Sequence, residues 1–160
     1  MKSNITPLFP TPFGIYELDI DLDKIYSGLS KFKTTPNHLL SGSKSSFQRD
    51  VSILYDDEFF DLFSKIQMSL DDYSKTVSLE PIFVTDSWYN EMDKGKRLRC
   101  HRHEYSIVSG AFYVKCSEKT VTLNFRNPLI PYRMAELYSN IPSEYSSSGM
   151  SFQPKAGVLF

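Results

Sequence analysis

The stretch WYNEMDKGKRLRCHRHEYSIVSGAFYV, Trp88 to Val114, decides how this chain reads. It carries two of the three histidines, His101 and His103, a single residue apart. Upstream lies a β-prone run, Ile82 to Asn90, with Ile82, Val84, Trp88 and Tyr89. Asp93-Lys94-Gly95-Lys96 reads as a turn. Tyr105 to Lys115 is apolar, aromatic or β-branched, with Gly110 inside it, and reads as a second strand. On a strand, residues i and i+2 project to the same face. His101 and His103 could then offer two imidazoles to one metal, a role neutral imidazole fills for iron, zinc, copper and nickel. Non-haem iron sites complete such a pair with a carboxylate and keep positions open. The nearest carboxylate here is Glu104. An H-x-H alone is a weak motif, because two surface histidines in a basic turn look the same.

Working outward, the N-terminal side is helical. Asp21 to Phe32 places Leu22, Ile25, Tyr26, Leu29 and Phe32 at helical spacing. Asp56 or Asp57 can cap a longer helix running to about Thr76. Its apolar stripe comprises Phe59, Phe60, Phe63, Ile66, Met68, Leu70 and Tyr73 and reads as a core-packing face. Phe9 to Ile20 opens with two prolines and then alternates around Ile15, Leu18 and Ile20, as a strand does. Thr34 to Asp50, rich in Ser, Thr, Gly and Pro, reads as loop. On the C-terminal side, Thr120 to Phe125, Met150 to Gln153 and Gly157 to Phe160 read as strands. Tyr132, Arg133 and the tract Tyr138 to Ser148 read as a long flexible loop of the kind that shapes a binding mouth. Helices first and strands after indicate an α+β chain, mainly β, with helices packed on one side of a sandwich or barrel.

Composition narrows the function classes. The 160 residues, 41% hydrophobic and 14% aromatic, suit one folded domain spanning 1–160. A net charge of -1 gives no global argument for nucleic acid or an anionic membrane. No stretch approaches the ~20 apolar residues of a bilayer span, and MKSNITPLFPTPFG lacks the apolar core of a secretory signal. A cytoplasmic protein is expected. Two cysteines, Cys100 and Cys116, make no disulfide framework and are expected as reduced, inert residues. A zinc site from Cys100, His101, His103 and Cys116 lacks the usual close ligand pairs. Lys94, Lys96, Arg97, Arg99 and Arg102 form a basic run. It is expected to be a solvated turn rather than a nucleic-acid surface, since no series of base-stacking aromatics lies within it.

Several pieces in order carry a more specific signal. Ser87-Trp88-Tyr89-Asn90, Gly95, His101-Arg102-His103, Ser109-Gly110-Ala111-Phe112-Tyr113-Val114, Phe125-Arg126-Asn127-Pro128 and Pro154-Lys155-Ala156-Gly157-Val158-Leu159-Phe160 follow one another. This run resembles a small branch of the 2-oxoglutarate/Fe(II)-dependent oxygenases found in phages and bacteria. The opening Leu8-Phe9-Pro10-Thr11-Pro12 also resembles that branch's N-terminal strand. The likeness implies a double-stranded β-helix, a jelly-roll, cupin-like barrel, with the N-terminal helices packed on it. It implies Fe(II) and 2-oxoglutarate as cofactors and places His101 as the first iron ligand. His103 occupies a position that is acidic in most of the superfamily, and whether His103 or Glu104 fills that role stays open. Asn90 and Tyr113 become candidate contacts to the co-substrate. The implied chemistry is oxidative decarboxylation of 2-oxoglutarate to succinate and carbon dioxide, coupled to hydroxylation of a substrate that the sequence does not name. If the gene is a phage's, the host cytoplasm is the expected compartment.

The resemblance also sets an expectation about what is missing. The branch follows P-x-x-G-x-L-x-F with a distal histidine ligand and a basic anchor for the 2-oxoglutarate carboxylate. Here that segment would begin after Phe160. His38, in an early loop, is not its equivalent. The domain is therefore expected to be C-terminally incomplete, either as a truncated oxygenase or as a naturally short relict. The alternative function is a non-catalytic jelly-roll binding or phage-associated protein with a relict metal site. A cupin-like protein using another metal is a third reading. The strand ending at Phe160 is expected to leave a barrel edge open, free to pair with a second copy in a homo-oligomer.

Overall fold

A computed structural model describes residues 1–7, 9–36, 43–47, 51–117, 122–132, 140–141, 143 and 145–160. His38, Arg133 and part of the expected Tyr138–Ser148 loop fall outside these residues, as does the start of the expected Thr120–Phe125 strand.

β1 (Tyr16–Glu17) and α1 (Leu22–Leu29) come first. Asp21 caps α1, its side chain accepting from the Lys24 N–H at 2.9 Å. In the strand leading to α1, Gly14, Tyr16, Leu18 and Ile20 turn inward while Ile15 faces solvent at 52% exposure. Of the three residues around which the strand reading alternates, Leu18 and Ile20 face inward and Ile15 does not, because it lies one residue out of step with the other two. Thr34–Asp50 is not wholly loop. It contributes β2 (Thr35–Pro36) and β3 (Ser43–Ser45), which form a three-stranded antiparallel sheet with β4 (Asn90–Met92). Serines carry no apolar alternation, so no local strand signal exists there.

Two 3₁₀ turns, Ile53–Tyr55 and Asp57–Phe59, lead into α2 (Phe60–Thr76). Asp56 caps this entry by accepting from the Glu58 N–H. Lys31 ties α1 to it, with Nζ 2.5 Å from Asp56 and 2.8 Å from Glu58. The same ammonium lies 5.7 and 5.8 Å from the ring centroids of Phe32 and Phe59. The expected stripe of α2 holds at Phe59, Phe63 and Ile66, but Phe60 and Met68 are 70% and 69% exposed. Leu62 is buried in their place, because the helix enters through a 3₁₀ turn that rotates its inward face.

β5 (Leu123–Arg126) pairs with β6 (Gly149–Phe152) in a separate antiparallel hairpin. β7 (Val158–Leu159) pairs with β1, matching Tyr16 to Leu159 and Glu17 to Val158. On its other side Phe112 bridges Leu159, and the Ala111 and Tyr113 backbones share four hydrogen bonds of 2.8–3.1 Å with Gly157, Val158 and Phe160. Tyr105–Lys115 is thus strand-like only over 111–113. β7 lies between two neighbours, with Val158 and Leu159 6% and 8% exposed. The expected open edge at 157–160 is therefore corrected, since N-terminal residues cover it.

The core comprises Ile25, Leu54, Phe59 and Leu62, with Leu18, Ile20, Phe112 and Val114 packed against it. Helices thus sit on the sheet that contains β7. The chain is mixed helix and strand with antiparallel sheets, and no closed barrel forms among the described residues. Among the described residues, no helix is long and apolar enough to cross a membrane.

Candidate metal centre

The histidine segment does not lie on a strand. Among the described residues, nothing pairs with 97–110, and the chain turns at Tyr105 with a φ of 69°. The Asp93–Lys96 turn forms as expected, closed by the Lys96 N–H on the Asp93 carbonyl at 3.1 Å, with Gly95 at φ 78°. Strand geometry is therefore not what aligns the histidines. Their rings nevertheless meet, with centroids 5.0 Å apart and planes at 70°.

What holds them is a row of rings and a backbone hydrogen bond. Phe47 meets Trp88 edge-on at 5.1 Å, and Trp88 meets His103 at 5.2 Å. His101 Nδ1 lies 2.8 Å from the Arg99 carbonyl. A carbonyl only accepts, so Nδ1 carries the hydrogen and the neutral ring keeps its lone pair on Nε2. Partial cover of the ring pushes the His103 pKa down, and the neighbouring His101 adds to this. Both effects favour the neutral imidazole, the form that binds metals.

The backbone on either side of Trp88 is fixed by serines. The Ser87 hydroxyl accepts from the Leu54 N–H at 2.9 Å and lies 2.7 Å from the Ser52 hydroxyl. The Ile53 N–H donates to the Ser87 carbonyl. The Tyr89 N–H donates to the Ser46 hydroxyl at 2.9 Å, and the Ser46 N–H returns a bond to the Tyr89 carbonyl at 3.0 Å. Ser46 is 3% exposed. Sequence reasoning missed Ser46, Ser52 and Phe47, which lie in or beside the tract read as loop. Only Ser87, at the head of the S-W-x-N motif, gave a signal.

The other two candidates lie on other segments. Asn90 opens β4, opposite Ser45. Tyr113 meets Phe160 at 5.9 Å with planes at 88°, and burial pushes its phenol pKa up. A groove of about 280 Å³ lies elsewhere, between residues 12–16 and the end of α2 at Asp72, Tyr73, Thr76 and Val77. Lys94, Lys96, Arg97, Arg99 and Arg102 are all exposed, and none has an ion-pair partner among the described residues. Cys100 is exposed and Cys116 half-buried, both as free thiols, and burial raises the Cys116 pKa.

The fit to a metal is partial. Two imidazoles bound to one ion at about 2.1 Å and near a right angle would place their centroids about 4.5–5 Å apart, close to what is seen. Two nitrogen donors are thus available. Among the described residues no group of three His, Cys, Asp or Glu side chains gathers to hold an ion, so Glu104 does not complete the set in this arrangement.

The comparisons add the family. Residues 86–160 match the model of the family described as "Putative 2OG-Fe(II) oxygenase". No curated protein matches the chain. The matched segment begins one residue before Ser87, at the serine-held stretch that precedes β4, includes both histidines, and runs through β7. Over residues 86–160, this chain is similar to the 2OG-Fe(II) oxygenase family.

Proposed function

We propose that this chain is an Fe(II)- and 2-oxoglutarate-dependent dioxygenase that hydroxylates its substrate, with His101 and His103 as two protein ligands of the iron. The observation that supports this most is the ring pair itself: two adjacent imidazoles, one with its Nε2 lone pair left available by the Arg99 carbonyl, inside the family segment. Bound iron with 2-oxoglutarate would supply the oxidation of substrate by dioxygen. The chain's own part is positional. Arg99 sets the His101 tautomer, and Trp88 lies against the His103 ring. Asn90 and Tyr113 are assigned to the co-substrate by the resemblance, and a jelly-roll arrangement of the strands belongs to the same proposal.

A second reading has an observation of its own. Among the described residues no third donor joins the histidines, which suits a binding protein with a relict site. Incubation with Fe(II), 2-oxoglutarate and dioxygen separates the two readings. Succinate formation that disappears in His101→Ala supports the enzyme. Fe(II) binding with no succinate supports the relict.

A further inference from the structure

We infer that Trp88 is a positioning residue for the His103 imidazole, held in place by a bracket of serine hydroxyls, so that metal affinity depends on residues that touch no metal. This rests on the reading of His101 and His103 as ligands. The chain has a single tryptophan, and its indole lies 5.2 Å from the His103 ring, with the planes tilted by 47°. The histidine segment has no strand partner among the described residues, so its own backbone does little to orient the ring. The indole is the fixed object beside it.

The reason it is fixed can be traced residue by residue. Ser87, before it, is anchored to the Ser52–Leu54 turn by three contacts of 2.7–3.1 Å. Tyr89, after it, is held by the reciprocal bonds to Ser46. Phe47, next to Ser46, also meets the indole, with ring centroids 5.1 Å apart and planes at 79°. The bracket therefore links the 3₁₀ turn that packs in the core, through Leu54, to the ring beside the candidate ligand. Groups that orient a ligand from outside the coordination shell typically change metal affinity by about 10–100-fold when removed.

The test uses the whole chain, with Co(II) alone as the probe. In the metal-free protein, an indole against His103 shifts that imidazole's proton resonances through its ring current. Ser87→Ala and Ser46→Ala should reduce this shift, and Trp88→Ala should abolish it. Co(II) affinity should fall about 10–100-fold in Trp88→Ala and recover in large part in Trp88→Phe, which restores an aromatic face. Unshifted His103 resonances in the unmodified protein would overturn the inference even if Trp88→Ala failed to fold. Tight Co(II) binding by the unmodified chain, with equal binding in Trp88→Ala, would also overturn it while leaving the ligand reading intact. If the unmodified chain binds no Co(II), the ligand reading fails, and this inference fails with it.

Discussion

Phe112 and Leu159 are cross-strand partners, and their pairing joins the strand after the histidines to the last strand described. Gly157 makes the approach possible. Its φ is 85°, its N–H donates to the Tyr113 carbonyl at 2.8 Å, and its carbonyl accepts from the Leu18 N–H at 2.8 Å. A Cβ there would meet the Leu18 carbonyl at 3.6 Å and Leu22 at 3.8 Å, which are ordinary contacts. The cost of a side chain is thus backbone strain rather than a clash. Gly157→Ala should lower stability by about 1–2 kcal/mol in thermal or urea unfolding. An unchanged midpoint would mean that the turn does not hold this conformation in solution.

The helical side has its own critical residue. Phe59 is 1% exposed and packs among Ile25, Leu54 and Leu62, with the Phe32 ring 5.8 Å away. Its removal leaves a cavity that backbone from two elements cannot easily close. Phe59→Ala should cost about 3–5 kcal/mol. Phe60→Ala, at a position 70% exposed, should cost much less. Equal losses from the two would contradict the inward face assigned to α2.

Lys31, Asp56 and Glu58 give the stability a pH dependence. Hydrogen bonds from Lys31 and then the Glu58 N–H hold the Asp56 pKa below its ordinary value, so its contribution is present above pH about 3.8 and is lost as pH falls through the folded pKa. Hydrogen bonds to Asp56 and Glu58 hold the Lys31 pKa above its ordinary value. That contribution is full below pH about 10.5 and is lost as pH rises through the folded pKa. All three groups are exposed enough to be screened, so the effect should be small and weaken with salt. Melting curves of the parent protein and Lys31→Met should differ between these limits and converge beyond both. A constant difference at every pH would assign the role of Lys31 to its stem on Phe32 and Phe59 instead.

How much of this was legible before the structure differs by element. α1 and α2 are legible from apolar spacing, and α2 also from a cap at Asp56 or Asp57, because caps and periodicity are local signals. Gly95 and the Asp93–Lys96 turn were read for the same reason. β2 and β3 were not, since Ser43, Ser45 and Ser46 are buried by pairing rather than by apolarity. The partner of β7 was also invisible, because Tyr16 lies at the other end of the chain and register across such a distance leaves no local mark. His101 and His103 were found through a spacing rule that the structure does not use: they meet without a strand. The serine bracket and the Arg99 carbonyl, which support them, depend on tertiary placement and had no sequence signature beyond Ser87.

The central claim is that His101 and His103 bind one metal ion together, and the single tryptophan beside His103 reports on it directly. Under anaerobic conditions, Fe(II) added to the whole chain should quench Trp88 fluorescence and saturate at one equivalent. His101→Ala and His103→Ala should each abolish that saturable quenching while leaving the far-ultraviolet circular dichroism unchanged. Saturable quenching that survives either substitution, or its absence in the unmodified protein, would contradict the account.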